Sequence, residues 1–449
     1  MNRAERIRFA LSIATDTKEF KMGSGVFAEA PSVFRSFFPE KGALIIADIH
    51  TYPALGQKVA SAFREADIPL EEFIIREEEF HAEWKYVEMV DAQLDAHPGY
   101  VLVSVGSGVI NDLCKLCSHH HGQSYLTLPT AASVDGYSSF GASITYEGAK
   151  QTFSCPARVA ILADMDVIAA APAEMTAAGY ADLAAKVPAG AEWMISDFVG
   201  TEPIHEDAWH VLQDHLDSFL ARPEAVAAGD VDAIADVFEG LTLSGFAMQA
   251  ARSSRPASCC DHLFSHILDM TAHRYKGKLV SHGFQVAVGT LTMCAVFDQL
   301  FKLDLSKLDV EACVAAWPSL EEEQQRALKL FKDFPAPMLG YNEITKKYAP
   351  APVVRQELTK LRDNWPAFKE KLQGQVYSYS KMHDLLKAAG APSSPEEIGL
   401  KNADIRDMFP LVQMMRFRYN VLDLAKRGCF YEKIVSPLFQ KGGVYETCE

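Results

Sequence analysis

Nowhere in the 449-residue chain is there a run of 18 or so apolar residues, the length a helix needs to cross a bilayer (about 20 residues). No membrane span is expected. The opening stretch MNRAERIRFALSIATDTKEF interrupts its apolar positions with a charge or polar group every few residues, so it is not expected to act as a secretory signal. Without an export signal, the nine cysteines read as reduced thiols of a cytoplasmic protein, not as a disulfide framework. Basic residues are in deficit, 43 against 59 acidic, for a net charge of −16. That balance argues against nucleic acid as a partner, because phosphate contacts need a basic face. A local basic pocket for one small phosphate is still allowed. Internal repeats and low-complexity tails are also missing. What is left is a globular composition, 49% hydrophobic and 23% charged, in a chain too long for one ordinary core. Two domains follow as the expectation.

The first third alternates. Short β-rich apolar runs occur at ALIIADI (43–49), EEFIIR (71–76), YVLVSV (100–105), YLTLPT (125–130) and RVAILAD (158–164). Between them lie stretches with helical spacing, such as YPALGQKVASAFREAD. Strands alternating with helices predict right-handed βαβ units and a parallel, Rossmann-like sheet. GASITYEGAKQTF reads as a β-hairpin turning at Gly148 on the edge of that sheet. After about residue 170 the strand signals stop and the rest reads as helices. The expected division is an α/β domain at 1–170 and an all-helical domain at 171–449.

Five segments carry chemistry-bearing residues. VLVSVGSGVINDLCK is strand, glycine turn, helix, in which Gly106 and Gly108 let the backbone approach a phosphate at the helix start. Asn111 or Asp112 sits where a cap or first-turn acid belongs. The third glycine of the dinucleotide fingerprint is replaced by Asn111, so an ordinary βα turn explains the motif equally well. LPTAASVDGYSS sets Thr130 and Ser133 beside Asp135, either as ligand contacts or as a polar loop with an Asx turn. CKLCSHHHG places Cys114 and Cys117 inside a helix, whereas a redox pair prefers a helix N-terminus; a helical face running into a solvated loop accounts for it. AAGYADLAAK carries Asp182 and Lys186 four apart, as a surface ion pair or as a buried acid with a charged partner. SRPASCCDHLFSHILDM puts His262 and His266 on one helix face, and His282 follows in LVSHGFQVAVGTL. Asp182, His262 and His282 would make an Asp/His/His set with an open position, as catalytic metal sites have. Satisfied core histidines are the alternative. Cys259 and Cys260 could also ligate, but neighbours on a helix differ by about 100° in direction.

Taken together, GSGVINDLCK, LPTAASVDGYSSFGASI, AGYADLAAK, SRPASCCDHLFSH and SHGFQVAVGTL resemble the sn-glycerol-1-phosphate dehydrogenases, of the iron-type alcohol dehydrogenase, glycerol dehydrogenase and dehydroquinate synthase superfamily. The resemblance runs from about residue 43 to 290. It implies a dehydroquinate synthase-like fold, an α/β NAD(P)-binding domain followed by an all-α metal- and substrate-binding domain. It implies cofactor contacts at Gly106, Ser107, Gly108, Val109 and Ile110, at Thr130, Ala131, Ala132, Ser133 and Ser139, and at Asp48 near the adenosine ribose. It puts substrate at Asp135, Asp182 and His266, and one divalent metal (zinc first, nickel or iron next) on Asp182, His262 and His282. The implied reaction interconverts dihydroxyacetone phosphate and sn-glycerol 1-phosphate with NAD or NADP. Asp48 leans toward NAD, since an acid repels a 2′-phosphate. His266, on the metal face, is the candidate proton relay or substrate hydrogen-bond donor, an imidazole ordinarily titrating near neutrality, and Lys186 or Arg255 would meet the substrate phosphate. A homodimer is the expected form. The sequence departs from the family at Ala181 in Gly-Tyr-Ala-Asp, at Pro188, and at Cys259-Cys260 before His262. A dehydrogenase of an unphosphorylated polyol such as glycerol, an inactive metal- and nucleotide-binding relative, and a carbocycle-forming lyase are the competing readings.

Overall fold

A computed structural model describes residues 1–147 and 149–447. They fall into two compact units: Met1–Leu183 with His205–Pro256 and Ala388–Gly390, and Ala184–Ile204 with Ala257–Lys387 and Ala391–Glu449. No described helix is long and apolar enough to cross a membrane, and no described cysteine is in a disulfide.

The first unit is built on six parallel strands: β1 (Glu19–Gly23), β2 (Gly42–Asp48), β3 (Leu70–Ile75), β4 (Tyr100–Gly106), β5 (Leu126–Pro129) and β8 (Ala160–Asp164). Their order is β1-β8-β5-β4-β2-β3, every pairing parallel. The continuous apolar runs are explained by burial on both faces. Within β2, Ala43, Ile45 and Ala47 join Val101, Val103 and Val105 of β4 in one core. Leu44 and Ile46 pack on the other side with Ile110, Leu113 and Cys114 from the helix Gly108–His120. From β2 the chain moves out to β3 and returns to β4 on the far side of β2, so a topological switch point, the usual ligand crevice of such sheets, opens between β2 and β4.

Three expectations need correction. β1 was not foreseen; its five residues, EFKMG, show little alternation, and it is an edge strand beside β8. The hairpin forms, from β6 (Ala142–Tyr146) and β7 (Ala149–Phe153), with its turn residue Gly148 outside the described residues. It is a separate two-stranded sheet, not an addition to the main edge. Trp84 holds it, with ring centroids 4.6 Å from Tyr146 and 5.5 Å from Phe153, and the Thr145 N–H donates to the Ala82 carbonyl at 2.7 Å. Finally, the first unit does not end where the strands end, at 170. It continues to Leu183 and takes in His205–Pro256, because the helix Val231–Ala251 is tied to the amino terminus. Its Glu239, fully buried, accepts from Arg3 Nε at 2.9 Å and Arg6 Nε at 2.7 Å.

The second unit is helical apart from one short ladder, β9 (Arg274–Tyr275) with β10 (Lys278–Leu279), where strand signals were not expected. Lys276 and Gly277 turn it, both at positive φ (50° and 84°), the conformation that two-residue hairpins prefer. This ladder joins the helices Cys260–Met270 and His282–Leu300. Those two helices pack closely at Gly289, where an added Cβ would lie 2.1 Å from the Asp261 carbonyl oxygen. Pro188 is the third residue of the helix Lys186–Val199, where its missing N–H costs no intrahelical bond.

Gly289→Ala should therefore push the two helices apart or distort the Asp261 backbone. The expected cost is about 1–3 kcal/mol or more, read as a lowered midpoint in thermal or urea denaturation; an unchanged midpoint would mean that the helices yield freely.

Candidate functional site

In the second unit the helix Cys260–Met270 carries His262 and, one turn on, His266; His282 opens the helix His282–Leu300. The His262 and His282 rings lie 5.4 Å apart between centroids, inclined at 58°. Hydrogen bonds fix both protons. The buried Asp261 carboxylate bonds His262 Nδ1, and an ionised carboxylate only accepts, so Nδ1 carries the hydrogen. Gln285 Nε2 donates to the Val280 carbonyl at 3.1 Å, which turns its Oε1 to take the Ser265 hydroxyl hydrogen at 2.7 Å. Ser265 Oγ, 2.9 Å from His282 Nδ1, must then accept from that ring. Both imidazoles hold their hydrogen on Nδ1 and offer the Nε2 lone pair, the state in which histidine ligates a metal. His266 is half-buried on the same helix.

Asp261, Ser265 and Gln285 escaped the sequence reading. The available signals were an acid adjoining His262 and polar residues at positions 265 and 285 of otherwise apolar helices.

In the first unit, Asp48 ends β2 and Gly106 ends β4, and the register that pairs Ile46 with Ser104 sets them side by side at the switch point. Asp48 Oδ1 accepts the His50 and Thr51 N–H groups, each at 2.8 Å, closing a turn. Ser107 precedes the helix Gly108–His120 with extended backbone and makes no side-chain cap. The amides of Gly108, Val109 and Ile110 are thus the unpaired N–H groups of a helix start, suited to an anion. Gly106 also serves packing, since a Cβ there would meet Ile110 Cβ at 2.7 Å.

The loop after β5 is less open than its composition suggested. Thr130, Ala131, Ala132, Ser133 and Ser139 are all buried. Ser133 Oγ pairs with the Tyr137 hydroxyl at 2.9 Å, and Ser139 Oγ donates to the Gly136 carbonyl at 3.3 Å. Asp135 N donates to Asp182 Oδ2 at 2.9 Å, and Ser244 Oγ to Asp135 Oδ2 at 2.9 Å. Asp182 is fully buried, as are Lys186 in the second unit and Arg255 in the first, at 0% and 1% exposure.

Neither Asn111 nor Asp112 is a helix cap. The Gly136 carbonyl collects donors from Asn111 Nδ2 at 3.1 Å, Lys115 Nζ at 3.2 Å and Arg158 Nη2 at 3.2 Å. Lys115 also donates to Asp112 at 3.2 Å and to the Gly141 carbonyl at 2.7 Å. Tyr125 Oη bridges Asn111 Oδ1 and Arg158. Buried cations thus pin the backbone beside Asp135. Cys114 and Cys117 are interior to the helix, and burial pushes the Cys114 thiol up to about 12.

Residues 21–172 match the iron-containing alcohol dehydrogenase family. The glycerol-1-phosphate dehydrogenase [NAD(P)+] of Halalkalibacterium halodurans is 30% identical over 67% of this chain and 76% of its own length. That of Pyrococcus abyssi is 31% identical over 62% and 77%. Among solved structures, a probable glycerol dehydrogenase from Sinorhizobium meliloti is 17% identical, with a TM-score of 0.59 over 94% of this chain and 99% of that one. At that identity the likeness establishes the fold, a parallel-sheet unit and a helical unit of the dehydroquinate synthase-like kind.

Burial lowers the Lys115 ammonium from its ordinary 10.5, with Asp112 opposing. Between that depressed native value and 10.5 the unfolded chain binds more protons, so this group makes stability rise with pH. Lys115→Met should abolish the rise and, by removing the donor to the buried Gly141 carbonyl, cost about 1–3 kcal/mol. Urea denaturation across that pH window checks both.

Proposed function

Because this chain belongs to the glycerol-1-phosphate dehydrogenase family of the iron-containing alcohol dehydrogenases, we propose that it interconverts dihydroxyacetone phosphate and sn-glycerol 1-phosphate with NAD or NADP, at a site requiring a divalent metal. The observation that carries the chemistry is the histidine pair: His262 and His282 both hold hydrogen on Nδ1 and present Nε2. The substrate comes from the relatives, whose names specify glycerol 1-phosphate and NAD(P)+.

His262 and His282, with Asp182 as the anionic third ligand, would hold the ion; zinc suits two imidazoles and a carboxylate, and nickel or iron also fits. When bound, it supplies Lewis acidity toward the C2 oxygen. The nicotinamide supplies the hydride, and the fold's part is to hold its reacting carbon against C2. Gly106, Ser107, Gly108, Val109 and Ile110 would receive the pyrophosphate at the helix start, with Thr130, Ala131, Ala132, Ser133 and Ser139 as the neighbouring wall. Asp48, its Oδ1 committed to the turn, would offer Oδ2 to the adenosine ribose. Asp135, braced by Ser244 and by the amide bond to Asp182, and His266 would contact substrate, His266 handing a proton to the C2 oxygen as the hydride arrives. Lys186 or Arg255 would meet the phosphate. The protein would work in the cytoplasm and as a homodimer.

The decisive assay mixes metal-loaded protein with NADH or NADPH and either dihydroxyacetone phosphate or dihydroxyacetone. Metal-dependent loss of the reduced nucleotide on the phosphate, yielding the sn-1 isomer, is the expected result. Preference for unphosphorylated dihydroxyacetone would make it a polyol dehydrogenase, and nucleotide binding without turnover would make it an inactive relative. His262→Ala should lose metal and turnover together, whereas His266→Ala should keep metal and lose turnover. Asp261→Asn should weaken metal binding about 10–100-fold by releasing the His262 tautomer, as metal titration would reveal.

A further inference from the structure

Residues just ahead of His262 form a second donor cluster, within the second unit. One ligand atom from each of Glu192, Cys259 and Cys260 lies within 4.8 Å of the others. All three residues are buried, at 0%, 4% and 0% exposure. Helix geometry would splay adjacent thiols, but Cys259 precedes the helix, with φ −145° and ψ −131°. Its side chain is released from the helical fan, and both sulfurs reach the same carboxylate.

We propose that Glu192, Cys259 and Cys260 form a metal site for a thiophilic divalent cation of the zinc–cadmium class, with a ligand set sharing no residue with Asp182, His262 and His282. The carboxylate is already fixed for the task. Its Oε2 accepts the Cys260 N–H at 2.9 Å and its Oε1 the Val421 N–H at 3.0 Å, at the starts of the helices Cys260–Met270 and Val421–Arg427. Two sulfurs select zinc or cadmium over magnesium or calcium. Binding exchanges two thiol protons, which leave to solvent, for the ion. Two thiolates and a carboxylate around a divalent ion carry one net negative charge, which the positive charge of the Arg416 guanidinium, interacting electrostatically with Cys259, would offset. Arg418 reinforces the same side, donating to the Ser258 carbonyl at 3.2 Å. An ion here would anchor the first turn of the helix that carries His262 and His266.

The proposal is independent of the reaction assigned above. Full-length protein, stripped of metal and held reduced, is titrated with cadmium while the thiolate-to-cadmium charge-transfer band is followed. The band should grow with one cadmium per chain. Cys259→Ser and Cys260→Ser should each roughly halve it and weaken that ion about tenfold or more, and the double variant should abolish it, leaving any ion on the histidines in place. His262→Ala should keep the band even where it loses the other ion. A wild-type protein without the band, or a band surviving the double serine variant, overturns the proposal. Should the serine variants misfold, X-ray absorption at the metal edge of zinc-loaded wild type decides: sulfur in the first shell supports the site, and nitrogen and oxygen alone refute it.

Discussion

A histidine can ligate a metal only through a nitrogen that carries no hydrogen, and the hydrogen's location is decided by what the other nitrogen touches. In this protein two different devices give one answer. For His262 it is a direct carboxylate, Asp261, its sequence neighbour. For His282 it is a relay in which Gln285 takes the Ser265 hydrogen, so that Ser265 can only accept. The relay is directional because the Gln285 amide is itself oriented by the Val280 carbonyl. Helix packing at Gly289, the ladder between the helices and the apolar residues around them all serve to keep these few bonds aligned.

The first unit solves a comparable problem with cations. A loop rich in polar groups cannot be held by apolar contact alone, because its own carbonyls need partners. Lys115, Arg158 and Asn111 converge on one of them, at Gly136. The flanking Asp135 is thereby positioned through its backbone while its side chain is braced from Ser244. Keeping a lysine dry is costly, and its depressed affinity for protons expresses that cost.

Most of the sheet was legible because strands buried on both faces are written as unbroken apolar runs; β2, GALIIAD, is wholly buried. β1 was illegible for the opposite reason: an edge strand has one flank unpaired and tolerates Glu19 and Lys21. The histidines stood out as expensive groups in apolar helices, but the residues that set their tautomers did not. Serine and glutamine in a helix usually mean little, and only the three-dimensional neighbour gives Ser265 and Gln285 a purpose. Likewise Asn111 and Asp112 occupied cap-like positions by sequence, and most of their partners, Gly136, Tyr125 and Ser143, lie elsewhere in the chain.

The ladder Arg274–Tyr275 with Lys278–Leu279 has a bearing on how such chains can change length. Its turn has the minimum two residues, and it is fastened from outside as well: His273 Nε2 bonds the Ile398 carbonyl at 2.7 Å, and Gly399 leaves room for the Tyr275 ring, which an added Cβ would meet at 2.4 Å. Surface loops ordinarily absorb insertions at little expense. This connection has no slack to absorb one, since an extra residue would break the pairing and turn the second helix relative to the first. The segment thus works as a ruler, and drift in length should be filtered out here while other helix connections vary.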